Sequence, residues 1–193
     1  AMNRRREPDA STAALVAQGL LTSAPPDGVL IVWGDNDTYP LWQAQLALGT
    51  RRDVLVVTSP LLGADWSRAE LLRRARIDPG PLRPERAMVA ATVASARAAG
   101  RPVAFAVTVP AAVRSVGGDD WQLCGLAWIG RGERCGFADS ARVARFLVAH
   151  PPGRFTETTV RAMLRPLRCA TLPRGTVPIA VAGDSLAQSC NAR

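Results

Sequence analysis

Three short apolar runs, separated by helix-like segments, restrict this chain more than any other feature. "VLIVW" (29–33), "DVLVV" (53–57) and "PVAFAVTV" (102–109) are near-continuous rather than alternating. That is the pattern of strands covered on both faces. Helices are predicted between them. "PLWQAQLAL" (40–48) has Pro40 near its start and Gly49 just past its end. "DWSRAELLRRAR" (65–76) can be capped by Asp65, and "PERAMVAATVASARAAG" (84–100) runs from Pro84 to Gly100. "STAALVAQGLL" (11–21) precedes them, with Ser11 as its cap. "QLCGLAWIG" (122–130) reads as a fourth strand and "VPIAVAG" (177–183) as a fifth, with helices over 139–150 and 156–165. Such alternation predicts an α/β fold: a three-layer, mostly parallel, Rossmann-like sheet with helices on both faces. A length of 193 residues suits one domain, 1–193. Ligands of such sheets bind beyond the C-terminal strand ends, where "GDNDTYP" (34–40) falls.

Composition narrows the chemistry. No apolar run approaches the ~20 residues of a membrane helix, and "NRRREPDASTAALVAQGLL" (3–21) lacks the pattern of a signal peptide. A soluble piece is expected. The net charge is +8, and all 24 basic residues are arginine. They are scattered along the chain, and aromatics make up only 5%. Nucleic-acid binders gather charge on one face and stack bases on rings, so no nucleic acid is expected. Contact with anionic headgroups stays open. Without lysine there is no Walker A site and no Schiff-base catalysis. The single histidine, His150, stands at a predicted helix end, and no G-x-S-x-G elbow accompanies it. Four cysteines, Cys124, Cys135, Cys169 and Cys190, contain no C-x-x-C pair, which disfavours structural zinc. They allow two disulfides or buried thiols. Cys124 and Cys135 flank a strand-and-turn segment, and an oxidising compartment would favour their pairing.

The segment after the first strand carries the site question. Asp37 or Thr38 could cap the 40–48 helix, while Asp35 and Asn36 close Asx-turns. The same carboxylates and amide could instead meet sugar hydroxyls, with Tyr39, Trp42, Trp33 or Trp66 as an apolar platform. Asp35 and Asp37 could also hold Mg²⁺ or Ca²⁺. A sharper alternative is a Mg-dependent phosphatase of haloacid-dehalogenase type, with Asp35 as nucleophile, Asp37 as general acid and Asp184 in "AVAGDSLAQ" as metal ligand. Its spacing is one residue off, with Tyr39 where threonine belongs, and its lysine is missing.

Beyond these readings, the motifs resemble a family of large bacterial membrane proteins, glycosyltransferase family 117, which is protein O-mannosyltransferase-like and was formerly a domain of unknown function. Gly34, Asp35, Asn36, Asp37, Thr38, Tyr39, Pro40, Leu41 and Trp42 match the family's Gly-Asp-Asn-Asp-Thr-aromatic-Pro-Leu-Trp run. Arg51 with Asp53-Val54, then Leu61-Leu62 and Trp66, match its next block, and "RPVAFAVTVP" with "WQLCGLAWIG" is similar to a later one. The resemblance covers about 20–130 and leaves 131–193 unassigned. Trp33 and Cys124 depart from the family's residues at their positions. The family's catalytic acid lies on a loop between membrane helices, outside this sequence. The resemblance therefore implies a soluble, extracytoplasmic (periplasmic) domain of a larger membrane glycosyltransferase, itself non-catalytic. Its expected partners are the membrane-embedded transferase half of the parent chain and a glycan or acceptor polypeptide. Asp35, Asn36, Asp37, Thr38, Tyr39, Trp42 and Trp66 are the expected ligand-binding residues, with no cofactor beyond Mg or Ca at Asp35 and Asp37.

Overall fold

The three apolar runs form three adjacent strands at one side of a five-stranded sheet. A computed structural model describes residues 11–118 and 120–134, which fall within one compact unit, Ser11–Phe137. The strands are β1 (Val29–Val32), β2 (Leu55–Thr58), β3 (Val103–Ala106), β4 (Trp121–Cys124) and β5 (Ala127–Gly130). Their spatial order is β2-β1-β3-β5-β4. β1 runs parallel to β2, with Val29 opposite Leu55, and parallel to β3, with Val29 opposite Val103. All four residues of β1 and of β3 are buried, so both sheet faces are covered at the centre. This is why their sequences do not alternate.

The far half of the sheet corrects the expected fold class. β5 pairs antiparallel with β3, and β4 pairs antiparallel with β5. Two of the four pairings are antiparallel, so the sheet is mixed and the fold is not the mostly parallel, Rossmann-like three-layer arrangement. The cause lies in "QLCGLAWIG", expected as one strand. Cys124 faces Ala127 across a two-residue loop, Gly125-Leu126, with Gly125 at φ 57°. Glycine at the first loop position supplies the positive φ that a tight hairpin requires. One apolar run thus becomes two antiparallel strands.

Five helices accompany the sheet among the described residues: α1 (Ser11–Ser23), α2 (Asp35–Leu46), α3 (Asp65–Ala75), α4 (Glu85–Ala98) and the short α5 (Ala111–Arg114). 3₁₀ turns cover Ser59–Gly63 and Ser115–Gly117. α1 packs against α2, while α4 lies against β3 and both 3₁₀ turns. The core gathers Leu20, Leu21, Leu30, Ile31, Leu41, Leu62, Val89, Phe105 and Ile129. Each such side chain contributes roughly 1.5–3 kcal/mol by leaving water. α1 is tied to the hairpin through Ser23. Its buried hydroxyl accepts the Leu126 N–H at 2.9 Å and donates to the Gly19 carbonyl at 2.6 Å. Cys124 is disulfide-bonded, and its partner lies outside the described residues. The expected elements over 139–150, 156–165 and 177–183 also lie outside them, as do His150, Asp184, Cys135, Cys169 and Cys190 and the ends of the expected 1–193 domain.

Arg51 closes the C-terminal end of α1. Its guanidinium donates to the Leu21 carbonyl at 2.8 Å and the Pro25 carbonyl at 3.2 Å, and reaches the Ala24 carbonyl. The last carbonyls of a helix lack intrahelical partners, and a cation there also suits the helix dipole. The same guanidinium grips Asp53 with two 2.8 Å bonds, Nε to Oδ1 and Nη2 to Oδ2. That fork, with the Asp27 N–H on Oδ2, holds the Asp53 carboxyl down at about 2, the Arg51 hydrogen bond being the largest cause. Arg101 works alongside, donating to the carbonyls of Asp27, Gly28 and Asp53.

Arg51→Met should lower unfolding free energy by roughly 1.5–3 kcal/mol, the range for hydrogen bonds to a charged group. Arg51→Lys should recover less than half of this, since an ammonium cannot span carboxylate and carbonyls at once. Asp53 ionises more readily when folded, so its contribution is full above about 4 and is lost as pH falls through about 2. Urea melts across that acid range should show this loss in the wild type and a flatter profile in Arg51→Met.

Candidate functional site

The chain leaves β1 through Gly34, whose φ of 82° and ψ of −179° put it in a region that only glycine populates readily. This sharp change of direction lets α2 begin at once, at Asp35. The expected helix over 40–48 therefore starts five residues early, and "DNDT" is its first turn rather than a loop. Pro40 is carried inside the helix. It lacks the N–H that would bond the Asn36 carbonyl, a loss tolerated here although interior proline is costly.

What holds this first turn is Asp37, which is only 1% exposed. Its Oδ2 accepts the Trp33 N–H at 3.1 Å. The same oxygen accepts the Thr108 hydroxyl, contributed by the segment just past β3. Asp37 is the third residue of α2, so its bond back to Trp33 is a variant of the capping box, reaching one residue further upstream. This corrects the expected role: Asp37 serves one N–H before the helix, that of Trp33, and not those at the start of the expected 40–48 helix. Its other oxygen, Oδ1, is buried without a hydrogen-bond partner among the described residues. Burial pushes the Asp37 carboxyl above its ordinary 3.8, against the opposing bonds from Thr108 and Trp33.

Thr38 continues the anchor. Its hydroxyl donates to the Gly34 carbonyl at 2.7 Å. With that proton committed, the buried 2.9 Å contact with Thr58 requires Thr58 to be the donor. The adjoining Ser59 donates to Glu85 at the start of α4, at 2.7 Å. The C-terminal ends of β1, β2 and β3 are thus joined by Asp37, Thr38, Thr58 and Thr108.

The remaining motif residues face water. Asp35, Asn36 and Tyr39 are exposed, Tyr39 to 60%, and Trp42 is half-buried. Tyr39 and Trp42 meet edge to face with ring centroids 5.9 Å apart. The Asp35 carboxylate makes no hydrogen bond or ion pair among the described residues. Trp66, 61% exposed on α3, makes no ring contact with Tyr39 or Trp42. Of the seven expected site residues, Asp35, Asn36, Tyr39 and Trp42 share the outer side of α2, Asp37 and Thr38 lie beneath it, and Trp66 stands on another element. The two carboxylates expected to act as nucleophile and acid occupy opposite environments, one in solvent and one sealed in the core. Among the described residues no group of three or more His, Cys, Asp or Glu side chains could hold a metal ion.

Two members of the polar junction went unread in the sequence. Thr58 and Thr108 end the runs "VLVVT" and "AFAVT". A threonine closing each of two apolar runs, which become the strands on either side of β1, is the signal that could have placed them beside Asp37 and Thr38.

Asp37→Ala would leave the Trp33 N–H and the Thr108 hydroxyl unmet in the interior, and should cost roughly 1–3 kcal/mol. Asp37→Asn keeps an acceptor for both and should lose less. The folded wild type holds its Asp37 proton more tightly than the unfolded chain does. Its stability therefore falls as pH rises from about 4 through the raised value. In Asp37→Asn that fall should be absent. Denaturant midpoints measured from pH ~4 to ~8 check both statements, and an unchanged slope in Asp37→Asn would assign the pH dependence to another group.

Comparison with known proteins places part of this region. No curated protein matches the chain, and no solved structure does. Residues 13–84 match the family described as TMEM260-associated domain 2, a domain family of unknown function. The match takes in α1 from Ala13 onward, β1, α2, β2 and α3, and with them every expected site residue from Asp35 to Trp66, so this stretch of the chain is similar to that domain.

Proposed function

We propose that this chain is the extracytoplasmic domain of a protein O-mannosyltransferase-like glycosyltransferase, and that it acts without catalysis, in glycan or acceptor recognition or in scaffolding. The observation that carries this reading is the division of one motif across α2. Asp37, Thr38, Pro40 and Leu41 are buried and hold the helix to the strand ends. Asp35, Asn36, Tyr39 and Trp42 are left on the outer side, offering a carboxylate, an amide and two packed rings. Acceptors and donors of that kind pair with vicinal hydroxyls, and ring faces cover the apolar side of a sugar. The link to the transferase rests on the motif residues 34–42, 51–54, 61–66, 101–110 and 121–130. The disulfide at Cys124 favours an oxidising compartment. The natural partner of the domain is the membrane-embedded transferase half of the parent chain.

The reading is tested by titrating the chain with methyl α-mannoside, mannosylated peptides and their unmodified forms, following tryptophan fluorescence. A saturable change is expected with at least one of them, and Trp42→Ala and Asp35→Ala should each abolish it. Asp35→Ala should leave the unfolding free energy within roughly 0.5 kcal/mol of wild type, as for a surface change. No response to any of these probes would end the recognition reading. Turnover of a generic aryl phosphate with Mg²⁺ would replace it with an enzyme.

A further inference from the structure

The outer side of α2 has a second property, which rests on the reading of this face as a docking surface and names its occupant. Tyr39, Trp42 and Leu46 follow one another at helical spacing, and Leu48 lies just beyond the helix end. Tyr39, Leu46 and Leu48 are 60%, 74% and 70% exposed. Single exposed apolar residues need no explanation, but a row of them on one helix marks a contact surface. Tryptophan, tyrosine and arginine are also the residues that dominate such surfaces.

The ends of the row carry opposite charges. Asp35 opens the helix, exposed and unpaired among the described residues, where a carboxylate suits the helix dipole. Arg52 closes it. Its guanidinium bonds the carbonyls of Gln45 at 3.1 Å and Leu46 at 3.5 Å, and no carboxylate pairs with it among the described residues. From end to end the face reads acid, ring, ring, leucine, arginine. That order is complementary to its own reversal. At a rise of about 1.5 Å per residue, Tyr39 and Leu46 lie about 5 Å either side of the Trp42–Gln43 midpoint. Asp35 falls about 11 Å before that midpoint. The Arg52 guanidinium, one hydrogen bond past the last carbonyls, falls about the same distance after it.

We propose that the occupant of this face is a second copy of the chain, docked with the two α2 helices antiparallel about a twofold axis near Trp42 and Gln43. Tyr39 then meets the partner's Leu46, Trp42 packs across the axis, and Asp35 meets the partner's Arg52 at both ends. A twofold contact of this kind closes on itself and stops at a dimer. One 12-residue helix face is small for an interface. The dimer is accordingly weak, with a dissociation constant on the order of micromolar.

Sedimentation equilibrium of the full chain over a concentration series is the test, with the fold of each variant checked by circular dichroism. The wild type should move from 20.5 kDa towards twice that mass. Asp35→Arg sets like charges against each other and should weaken association about tenfold or more. Combining it with Arg52→Asp should restore association to within about threefold of wild type. Trp42→Ala should weaken it without loss of helical signal. The proposal is overturned if the wild type stays monomeric, if Asp35→Arg has no effect, or if a folded double variant fails to recover. A monomeric wild type that still answers methyl α-mannoside would remove the dimer and leave the recognition reading standing. A monomer that binds phosphatidylglycerol vesicles through Trp42 would make the face a membrane surface and equally overturn self-association.

Discussion

A single buried carboxylate sets the geometry on which the site depends. Asp37 joins the end of β1, through the Trp33 N–H, to the segment past β3, through Thr108. Both bonds are made from the first turn of α2, so one residue fixes where the helix begins and how it is rotated. With Asp37 inward, the 3.6-residue period turns Pro40, Leu41 and Ala44 inward as well. The same phase turns Asp35, Asn36, Tyr39, Gln43 and Leu46 to solvent. The exposed face is therefore not an independent feature of the surface. It is the complement of the buried junction, and a change that freed Asp37 would rotate or fray the helix carrying it. Burial opposes the ionised form of Asp37, and the bonds from Thr108 and Trp33 only partly offset it, with Oδ1 unpartnered among the described residues.

Much of the central architecture was legible because it rests on local patterning. The three apolar runs predicted strands within one to three residues of β1, β2 and β3, and the full burial of β1 and β3 suits their places inside the sheet. α3 and α4 fall where Asp65 and Pro84 predict their starts. The misreadings come from two places where a longer-range contact, or one backbone angle, outweighs composition. Proline is a strong start signal, so Pro40 suggested a helix beginning there. Gly34 and the buried Asp37 and Thr38 instead impose an earlier start and carry the proline inside. "QLCGLAWIG" has the length and apolarity of one strand, and only the left-handed Gly125 divides it. That one dihedral converts an expected parallel addition into an antiparallel hairpin, and with it the fold class. Arg51 and Asp53 were visible as a motif, but their work was not. Contacts from Arg51 to Leu21, Ala24 and Pro25 cross about thirty positions of sequence, which no local pattern reports.

The motif as a whole was read as a site, and its inner and outer halves now separate by chemistry. A carboxylate meant to act on a substrate must be reachable, and Asp37 is not. A residue meant to hold the fold must be bonded, and among the described residues Asp35 is not. The family resemblance over 34–42 covers both kinds at once, so matching letters cannot distinguish them. Burial and bonding can. By that measure the buried residues belong to the stability of the strand ends, and the recognition proposal rests on Asp35, Asn36, Tyr39 and Trp42.

Recognition and self-association also constrain each other through the same helix. Tyr39 and Trp42 cannot stack on a sugar and on a second α2 in the same molecule at the same moment. If both occur, they compete, and ligand would shift the dimer towards monomer by mass action. A weak dimer is the form in which such competition can operate, since a tightly held interface would exclude the ligand altogether. Attachment to a membrane-embedded half would raise the local concentration of neighbouring copies, so a contact of micromolar strength in solution could become well populated there. The exposed apolar residues of α2 then need not be a liability for an isolated domain. Under the two proposals they are a surface whose occupant depends on where the domain is held and what surrounds it.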